Sequence, residues 1–263
     1  MRDDDRISFV PLTLSVSGRE FTDDADFDQK EFLRMANASE DAPKSSCPPP
    51  IAFCEAFGDD GEDAYGITLS SRLSGSYNSA VIGAAMAKED VPGKNVHVFD
   101  SKSAACGQTL ILLKLKECLD AGMGFLDTVA AVERYISEQV TVFVLDRLDA
   151  LKKNGRLSGI EGALATALNI KPILGSTPDG DIQKLGMARG MKQGLKKLAD
   201  MVGGLVKDPA SKVFAITHCN AMERALWLKD EILSRYPFKD VLILDAAGVS
   251  TLYAQDGGIV CAF

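Results

Sequence analysis

The chain has 263 residues, of which 46% are apolar, and a formal net charge of −8 at pH 7. This length and composition fit one large domain or two smaller ones with packed cores, and they argue against a disordered or fibrous protein. The excess of acidic residues argues against nucleic acid or an anionic membrane as the main partner, because both attract clusters of Lys and Arg.

The cysteines and histidines do not form a metal-binding pattern. No two of the six cysteines are spaced as C-x-x-C, and the chain contains only two histidines. We therefore expect no metal site, and we expect free thiols in a reducing compartment. No apolar run reaches the roughly 18–20 residues of a membrane-spanning helix, and the N-terminus lacks the apolar stretch of a signal peptide. The sequence thus predicts a cytoplasmic protein with no integral membrane segment.

Strands and helices alternate through the first half of the chain. The predicted strands lie at residues 7–14, 64–69, 96–99 and 140–145, and the first of them should be interrupted or ended at Pro11. Helices are predicted at 28–36 and 51–57, and three longer ones carry apolar residues at helical spacing, such as Tyr77 and Val81, Ile111 and Leu115, and Val129 and Val132. This alternation is typical of an α/β domain with a mainly parallel sheet, which we assign to residues 1–155.

The second half has a different pattern, which predicts an α+β domain over residues 156–263. A helix of small residues at 162–168 precedes two short strands, 171–175 and 182–187, which flank a turn and form a predicted hairpin. Further helices are predicted around Met191 and at 221–236, and further strands at 213–217, 241–245 and, in part, 251–263. The sheet of this half should be mixed or antiparallel.

The strongest chemical signal is a hydroxyl-rich turn between a predicted strand and a predicted helix, Ser70-Ser71-Arg72-Leu73-Ser74-Gly75-Ser76. Ligands of open α/β sheets bind beyond the carboxyl ends of strands, and a helix N-terminus offers unpaired N–H groups. Hydroxyls and a glycine at that place can hold a carboxylate or a phosphate. Simple capping of the helix by serine also explains the same residues, and this segment alone does not favour anion binding over it.

Two more loops could serve the same anion. The segment Ser45-Ser46-Cys47-Pro48 carries hydroxyls and is stiffened by proline, although an ordinary surface turn has the same composition. The segment from Asn154 to Gly159 places Arg156 near the predicted domain junction, where it could contact an anionic group or a partner protein. Alternatively, Arg156 is solvated and follows a helix that ends at Gly155.

No pattern of residues predicts a catalytic site. The G-x-S-x-G turn of serine hydrolases is absent, as are the phosphate-binding loop G-x-x-x-x-G-K-[ST] and the dinucleotide motif G-x-G-x-x-G at a strand end. His97 lies in a predicted strand and His218 at the end of another, where a structural role is the more common one. The residues indicate a possible anion site without catalytic residues.

Taken together, the motifs resemble those of the DegV family of bacterial fatty-acid-binding proteins, in the same order along almost the whole chain. The matching segments are Val10-Pro11-Leu12 with Phe21-Thr22-Asp23, Ser45-Ser46-Cys47-Pro48, residues 70–80, Asp100-Ser101-Lys102-Ser103, residues 148–159 and Asn169-Ile170-Lys171-Pro172. Arg189-Gly190 and His218 also fall where the family has R-G and H-G.

The sequence departs from the family pattern at several places. The family's opening strand has no counterpart here, so we expect the N-terminal domain to lack it. Ser45 replaces the usual threonine, and Asn154 replaces the first glycine of G-G-R. Ala254 stands where we align the histidine of the family's C-terminal G-T-H motif.

The resemblance implies a two-domain protein with the acyl chain of a fatty acid, about C16–C18, in a tunnel between the domains. It implies that hydroxyls of two loops contact the carboxylate and that a separate fatty-acid kinase converts the acid to an acyl phosphate. Ser74 and Ser45 are the first candidates for carboxylate contact, followed by Ser46, Gly75 and Ser76. Arg156 is the candidate for the phosphate or partner side. No cofactor or metal is expected besides the fatty acid itself.

Two alternatives to this function remain. The first is a fatty-acid carrier that does not interact with a kinase, because Ala254 replaces the histidine of the family's G-T-H motif. An enzyme is the other, either a serine hydrolase or a small-molecule kinase, since the first DegV domain is similar in fold to dihydroxyacetone kinase. Labelling of Ser74 by a fluorophosphonate probe would distinguish the hydrolase from the binding protein.

Overall fold

A computed structural model describes residues 4–58, 61–160, 162 and 169–263. Its helices are α1 (Gln29–Ala38), α2 (Pro50–Phe57), α3 (Ser76–Asp90), α4 (Cys106–Asp120), α5 (Phe125–Glu138), α6 (Asp149–Lys153), α7 (Gly190–Leu205), α8 (Met222–Leu233) and α9 (Gly248–Ala254). Its strands are β1 (Thr13–Val16), β2 (Arg19–Thr22), β3 (Lys44–Ser46), β4 (Asp63–Thr68), β5 (Asn95–Asp100), β6 (Thr141–Val144), β7 (Ile170–Ser176), β8 (Ile182–Arg189), β9 (Val213–His218), β10 (Asp240–Asp245) and β11 (Ile259–Ala262). These elements confirm the predicted α/β class.

Strands β4 and β5 form a parallel pair that is covered on both faces by helices. Val96 and Val98 of β5 pack with α2 and α3, whereas Phe99 packs with α4 and α5. Successive residues of a strand point to opposite faces, so one short strand can serve two cores. The carboxyl ends of β4 and β5 lead into the turn at Ser70 and the loop at Asp100.

The largest sheet of the described chain has six strands in the order β10-β9-β11-β6-β7-β8. Strands β9 and β10 are parallel and are connected by α8, whereas the other neighbouring pairs are antiparallel. Helices α7 and α8 cover this sheet, with Leu195, Leu198, Leu228 and Ile232 buried against it. Both the mixed sheet and the β7–β8 hairpin agree with the sequence-based predictions.

The N-terminal strands form an antiparallel sheet in the order β2-β1-β3. Leu14 of β1 packs with Phe32 of α1 and Leu252 of α9. The carboxylate of Asp23 accepts hydrogen bonds from the N–H groups of Gly248 and Val249 at 2.6 and 2.8 Å. The first turn of α9 is therefore held by the N-terminal part of the chain, and β3 lies beside α9.

Most predicted elements of the chain are present within a few residues of their expected limits. The strand predicted over residues 7–14, interrupted or ended at Pro11, is shifted along the chain: regular pairing begins only at Thr13, after the proline, and continues to Val16. The prediction of a strand at residues 251–254 was also wrong, because these residues end helix α9. The helix predicted at 162–168 lies, apart from Gly162, outside the described residues.

Strand β6 does not join the parallel pair, contrary to the sequence-based assignment of residues 140–145. It lies between β11 and β7 and is antiparallel to both. A run of apolar residues predicts a buried strand but not its neighbours in the sheet. Buried parallel strands and buried antiparallel strands can have the same apolar sequence pattern. The boundary near residue 155 stays a prediction. No described helix combines the length and the hydrophobicity needed to cross a bilayer.

Candidate functional site

Four segments that are distant in sequence meet at one place in the fold. They are strand β3 with Ser45, the turn that precedes α3, the turn that follows α6, and helix α9. Hydrogen bonds and a ring contact connect them: Ser45 bonds Tyr253, and Arg156 contacts both the Tyr253 ring and the backbone carbonyl of Leu73. We call this place the serine site and define it by Ser45, Ser74, Ser76, Arg156 and Tyr253.

Ser45 lies in the middle of β3, opposite Leu14 of β1. Its hydroxyl shares a hydrogen bond of 3.1 Å with the hydroxyl of Tyr253. Ser45 is half-buried, whereas the next residue, Ser46, is exposed. Because side chains alternate along a strand, Ser46 points away from the face that Ser45 occupies. Of the two predicted ligand residues in this segment, Ser45 is the one that contacts the rest of the site.

The turn before α3 presents two hydroxyls side by side. Ser74 Oγ and Ser76 Oγ are 2.9 Å apart, and Ser74 Oγ also accepts a hydrogen bond from the backbone N–H of Ser76. The residue that begins the helix, Gly75, has no side chain to cap it. Ser74 thus satisfies one N–H of the first turn, while the next ones lack intrahelical partners. Helix α3 therefore begins with donors and a positive dipole end at the two serines.

Buried polar contacts fix the conformation of this turn. Ser70 Oγ is fully buried and donates to the carbonyl of Gly180 in the β7–β8 turn at 2.8 Å. The carboxylate of Asp100, at the end of β5, accepts from the N–H groups of Ser71 and Lys102, both at 3.0 Å. The D-S-K-S segment singled out in the sequence thus supports the serine turn rather than reaching the site itself.

Gly75 allows the segment after Ser45 to approach the serine turn. A Cβ atom at Gly75 would lie 3.3 Å from Cys47 Sγ, which is closer than about nine in ten Cβ contacts in proteins. Cys47 Sγ also lies 3.9 Å from Ser79 Oγ on the first turn of α3. The predicted residue Gly75 therefore contributes by its small size, which brings the two hydroxyl-rich segments together.

Arg156 follows the end of α6, where Gly155 adopts a φ of +73° that favours glycine. The N–H of Arg156 donates to the carbonyl of Leu151 at 2.8 Å, so Gly155 ends the helix as predicted. The Arg156 side chain is half-buried and is held by contacts within the protein. Its Nε donates to the carbonyl of Leu73 at 3.2 Å, and its guanidinium lies 5.7 Å from the centre of the Tyr253 ring.

Tyr253 is the residue that sequence reasoning missed. It bonds Ser45 through its hydroxyl and supports Arg156 with its ring. The sequence argument considered only Ala254, which is buried in the core beside Leu33 and Leu151 and presents no polar group. The sequence did contain a signal for Tyr253, because it is an aromatic residue next to the aligned histidine position. A tyrosine combines a flat apolar surface with a hydroxyl that can form hydrogen bonds.

Asn154, which replaces a family glycine, anchors the turn after α6. Its side-chain amide donates to the carbonyl of Pro43 at 3.0 Å and to that of Ala150 at 2.9 Å. The first contact ties this turn to the residue that precedes β3. The departure from the G-G-R pattern therefore adds a direct connection between the Ser45 and Arg156 segments.

The chemistry of the serine site suits a small anion. Ser45, Ser74 and Ser76 supply hydroxyls, α3 supplies backbone N–H groups, and Arg156 supplies positive charge within the same group of contacts. A carboxylate binds well to such donors because hydrogen bonds to a charged group are about twice as strong as neutral ones. Among the described residues, no group of three or more His, Cys, Asp and Glu side chains could hold a metal ion.

Comparison with known proteins shows to which family the chain belongs. The sequence model of the DegV family matches residues 1–262. This protein belongs to the DegV family. A DegV domain-containing protein of Streptococcus pneumoniae is 32% identical over 255 residues, which are 97% of this chain and 89% of that protein.

Solved structures of the DegV family have the same fold. A DegV family protein from Ruminococcus gnavus, described with vaccenic acid, is 46% identical with a TM-score of 0.97, and the match covers 100% of this chain and 94% of that one. The fatty acid kinase B3 protein of Streptococcus pneumoniae, loaded with linoleic acid, is 32% identical with a TM-score of 0.89, over 97% of this chain and 89% of that one. These matches confirm the resemblance drawn from the sequence motifs.

Neither histidine of this DegV protein is hydrogen-bonded to a serine of the site in the described structure. His97 Nε2 lies 3.2 Å from the carboxylate of Glu133 on α5. His218 Nδ1 accepts a hydrogen bond from the N–H of Ala221 at 3.3 Å. The hydroxyl of Ser74 is instead paired with Ser76. The geometry therefore gives no support to a serine hydrolase, for which a base must lie within hydrogen-bond reach of the nucleophile.

The cysteines give a direct test of the packing of the protein, because one is exposed and the others lie in its cores. Cys47 is exposed and the other five thiols are buried. Burial raises the pKa of Cys106 to about 11 and that of Cys219 to about 12, so these thiols supply almost no reactive thiolate at pH 8. We expect iodoacetamide to label the native protein once, at Cys47, as measured by intact mass and peptide mapping.

Two controls define the outcome of this labelling experiment. The unfolded protein should take up six labels, and a native Cys47→Ser variant should take up none. Labelling of any buried cysteine at the rate of Cys47 would contradict the described packing.

Proposed function

We propose that this protein binds one long-chain fatty acid and holds its carboxylate at the serine site. The observation that carries the proposal is the meeting of the Ser45 and Ser74 segments at the start of α3, in a chain closely similar to proteins solved with fatty acids. Ser45 and Ser74 contact the carboxylate directly. Gly75, Ser76 and Ser46 complete the two loops that surround it.

The energetics of binding divide between the acyl chain and the carboxylate. Transfer of each methylene group from water to an apolar site contributes about 0.8 kcal/mol, so the acyl chain supplies most of the affinity. A buried carboxylate without partners would cost several kcal/mol. The hydroxyls, the N–H groups of α3 and Arg156 offset that cost and fix which end of the ligand lies at the site. The acyl chain runs in an apolar tunnel between residues 1–155 and 156–263.

We further propose that the bound acid is presented to a fatty-acid kinase, which forms the acyl phosphate. Arg156 supplies positive charge next to the carboxylate site, where phosphate oxygens and a partner enzyme would approach. The protein itself supplies binding and orientation, and the partner supplies catalysis. The free cysteines fit a role in the cytoplasm, where the products of lipid metabolism and ATP are both present.

The experiment that tests the proposal is extraction of lipid from protein purified out of a bacterial host, followed by mass spectrometry. We expect close to one fatty acid per chain, mainly of about C16–C18. Delipidated protein should take up added palmitate or oleate to the same ratio. A folded protein that is empty and takes up neither acid would contradict the proposal.

A further inference from the structure

A second cleft lies at the carboxyl ends of the parallel strands β9 and β10. Its volume is about 950 Å³, and it shares no residue with the serine site. His218 and Asp245 are the last residues of the two strands and are paired in register. Ligands of α/β units commonly bind at such strand ends, next to the N-terminus of the connecting helix. We call this place the His218 cleft.

His218 points to a missing ligand group in this cleft. The residue is 2% exposed, and its Nε2 has no hydrogen-bond partner among the described residues. Since Nδ1 accepts from the N–H of Ala221, the ring carries its hydrogen on Nε2. Asp245 Oδ1 is 3.3 Å away, but the contact does not meet hydrogen-bond geometry. Buried polar groups are almost always paired, so Nε2–H calls for an acceptor from outside.

The charge of the cleft selects a cationic ligand. Six carboxylates line it, against the cationic side chains of Lys30 and Arg224. Arg224 is already paired with Asp146 and with the carbonyl of Gly257. Five of the six carboxylates have no Lys or Arg within ion-pair distance in the described structure, namely Asp24, Asp28, Glu223, Asp245 and Asp256. An inorganic anion would be repelled from such a surface, whereas an amine or a guanidinium would be attracted.

An apolar stripe borders the cleft on helix α8. Met222, which lines the cleft, is 47% exposed, and Leu226, one turn further along, is 48% exposed. Residues four apart lie on the same helix face, so the two side chains form one surface. Methionine adapts to varied partners and is common in protein-binding surfaces. A small free amine would leave this stripe uncovered, whereas a peptide segment would cover it.

We propose that the His218 cleft binds a basic peptide segment of a partner protein, a function beyond the fatty-acid binding described above. A Lys or Arg side chain of the segment lies among Glu223, Asp245 and Asp256. A backbone carbonyl of the segment accepts the hydrogen bond from His218 Nε2. An apolar neighbour in the segment packs on Met222 and Leu226.

The two histidines of the chain allow a site-specific test by nuclear magnetic resonance. Protein labelled with ¹⁵N in its histidine rings gives signals from His218 and from His97, which serves as the internal reference. The probe is the blocked peptide Ac-Ala-Leu-Arg-Ala-Leu-NH2. We expect a saturable shift of the His218 Nε2 signal, no shift of His97, and weaker binding at high salt.

Variants and comparison ligands make the outcome decisive. The double substitution Glu223→Gln/Asp245→Asn should weaken binding of the Arg peptide at least ~10-fold. The double substitution Met222→Ser/Leu226→Ser should also weaken binding of this peptide. Both variants should keep bound fatty acid and a native circular dichroism spectrum. The peptide with Glu in place of Arg should not shift His218. The proposal is overturned if the Arg peptide gives no shift at its solubility limit, if the Glu peptide binds equally well, or if spermidine binds as tightly as the Arg peptide.

Discussion

Replacing Ser45 and Ser74 together with alanine is expected to remove most of the fatty acid from the purified protein. Each hydroxyl is proposed to donate to the carboxylate, and a hydrogen bond to a charged group contributes about 1.5–3 kcal/mol. Loss of both should weaken binding by about 100-fold or more. Lipid mass spectrometry measures the occupancy of the purified variant, and titration of delipidated protein with oleate measures its affinity.

Matched serines elsewhere on the surface provide the control for this variant. Ser137 and Ser211 are exposed, and each donates only to a nearby backbone carbonyl. A Ser137→Ala/Ser211→Ala variant should therefore bind as the parent protein does. Retention of full occupancy and affinity by Ser45→Ala/Ser74→Ala would show that the carboxylate lies elsewhere. The Tyr253 hydroxyl also loses its partner in this variant, so thermal unfolding should be measured alongside.

Replacing Arg156 with methionine should affect phosphorylation much more than binding. The substitution keeps an apolar stem on Tyr253 but removes the charge next to the carboxylate. Removal of one charge-assisted contact to phosphate should slow acyl-phosphate formation by about 10- to 100-fold. The measurement is hydroxylamine trapping of acyl phosphate with a bacterial fatty-acid kinase and ATP, using variant protein saturated with oleate.

The control for Arg156 is another arginine on a neighbouring segment. Arg147 is exposed and pairs only with Asp149 among the described residues, so Arg147→Met should be phosphorylated at the parent rate. Unchanged phosphorylation of the Arg156→Met variant would contradict the proposed role of this residue. Failure of the parent protein with every kinase tried would instead favour a carrier that meets no kinase.

Sequence periodicity predicted most of the elements because burial repeats at the spacing of each element. It could not predict that β6 pairs with β11 and β7, since these partners are set by tertiary packing. It also missed α9, whose first turn depends on Asp23, a residue 226 positions away from Val249. A short helix stabilised mainly by a distant side chain leaves little local signal.

The sequence motifs indicated segments that lie together in the fold, and contact of their residues with a ligand stays a prediction. Ser45, Ser74, Gly75, Ser76 and Arg156 were all predicted, and the structure brings their segments together. Tyr253 was not predicted, because its role arises from contacts with two residues that are remote in sequence. Ser46 remains a weaker candidate, since the pleat of β3 turns it away from Ser45.

The hydrogen bond between Ser45 and Tyr253 joins residues 208 positions apart, so the two ends of the chain build one site. A ribosome synthesises a protein from its N-terminus, at roughly 5–20 residues per second. The serine turn and β3 therefore emerge well before the helix that completes the site. If the carboxylate lies at the serine site as proposed, a nascent chain lacks part of that site until Tyr253 has left the ribosome. Under the proposed function, loading with fatty acid is then an event of the completed chain, and it reports that the two segments have folded together.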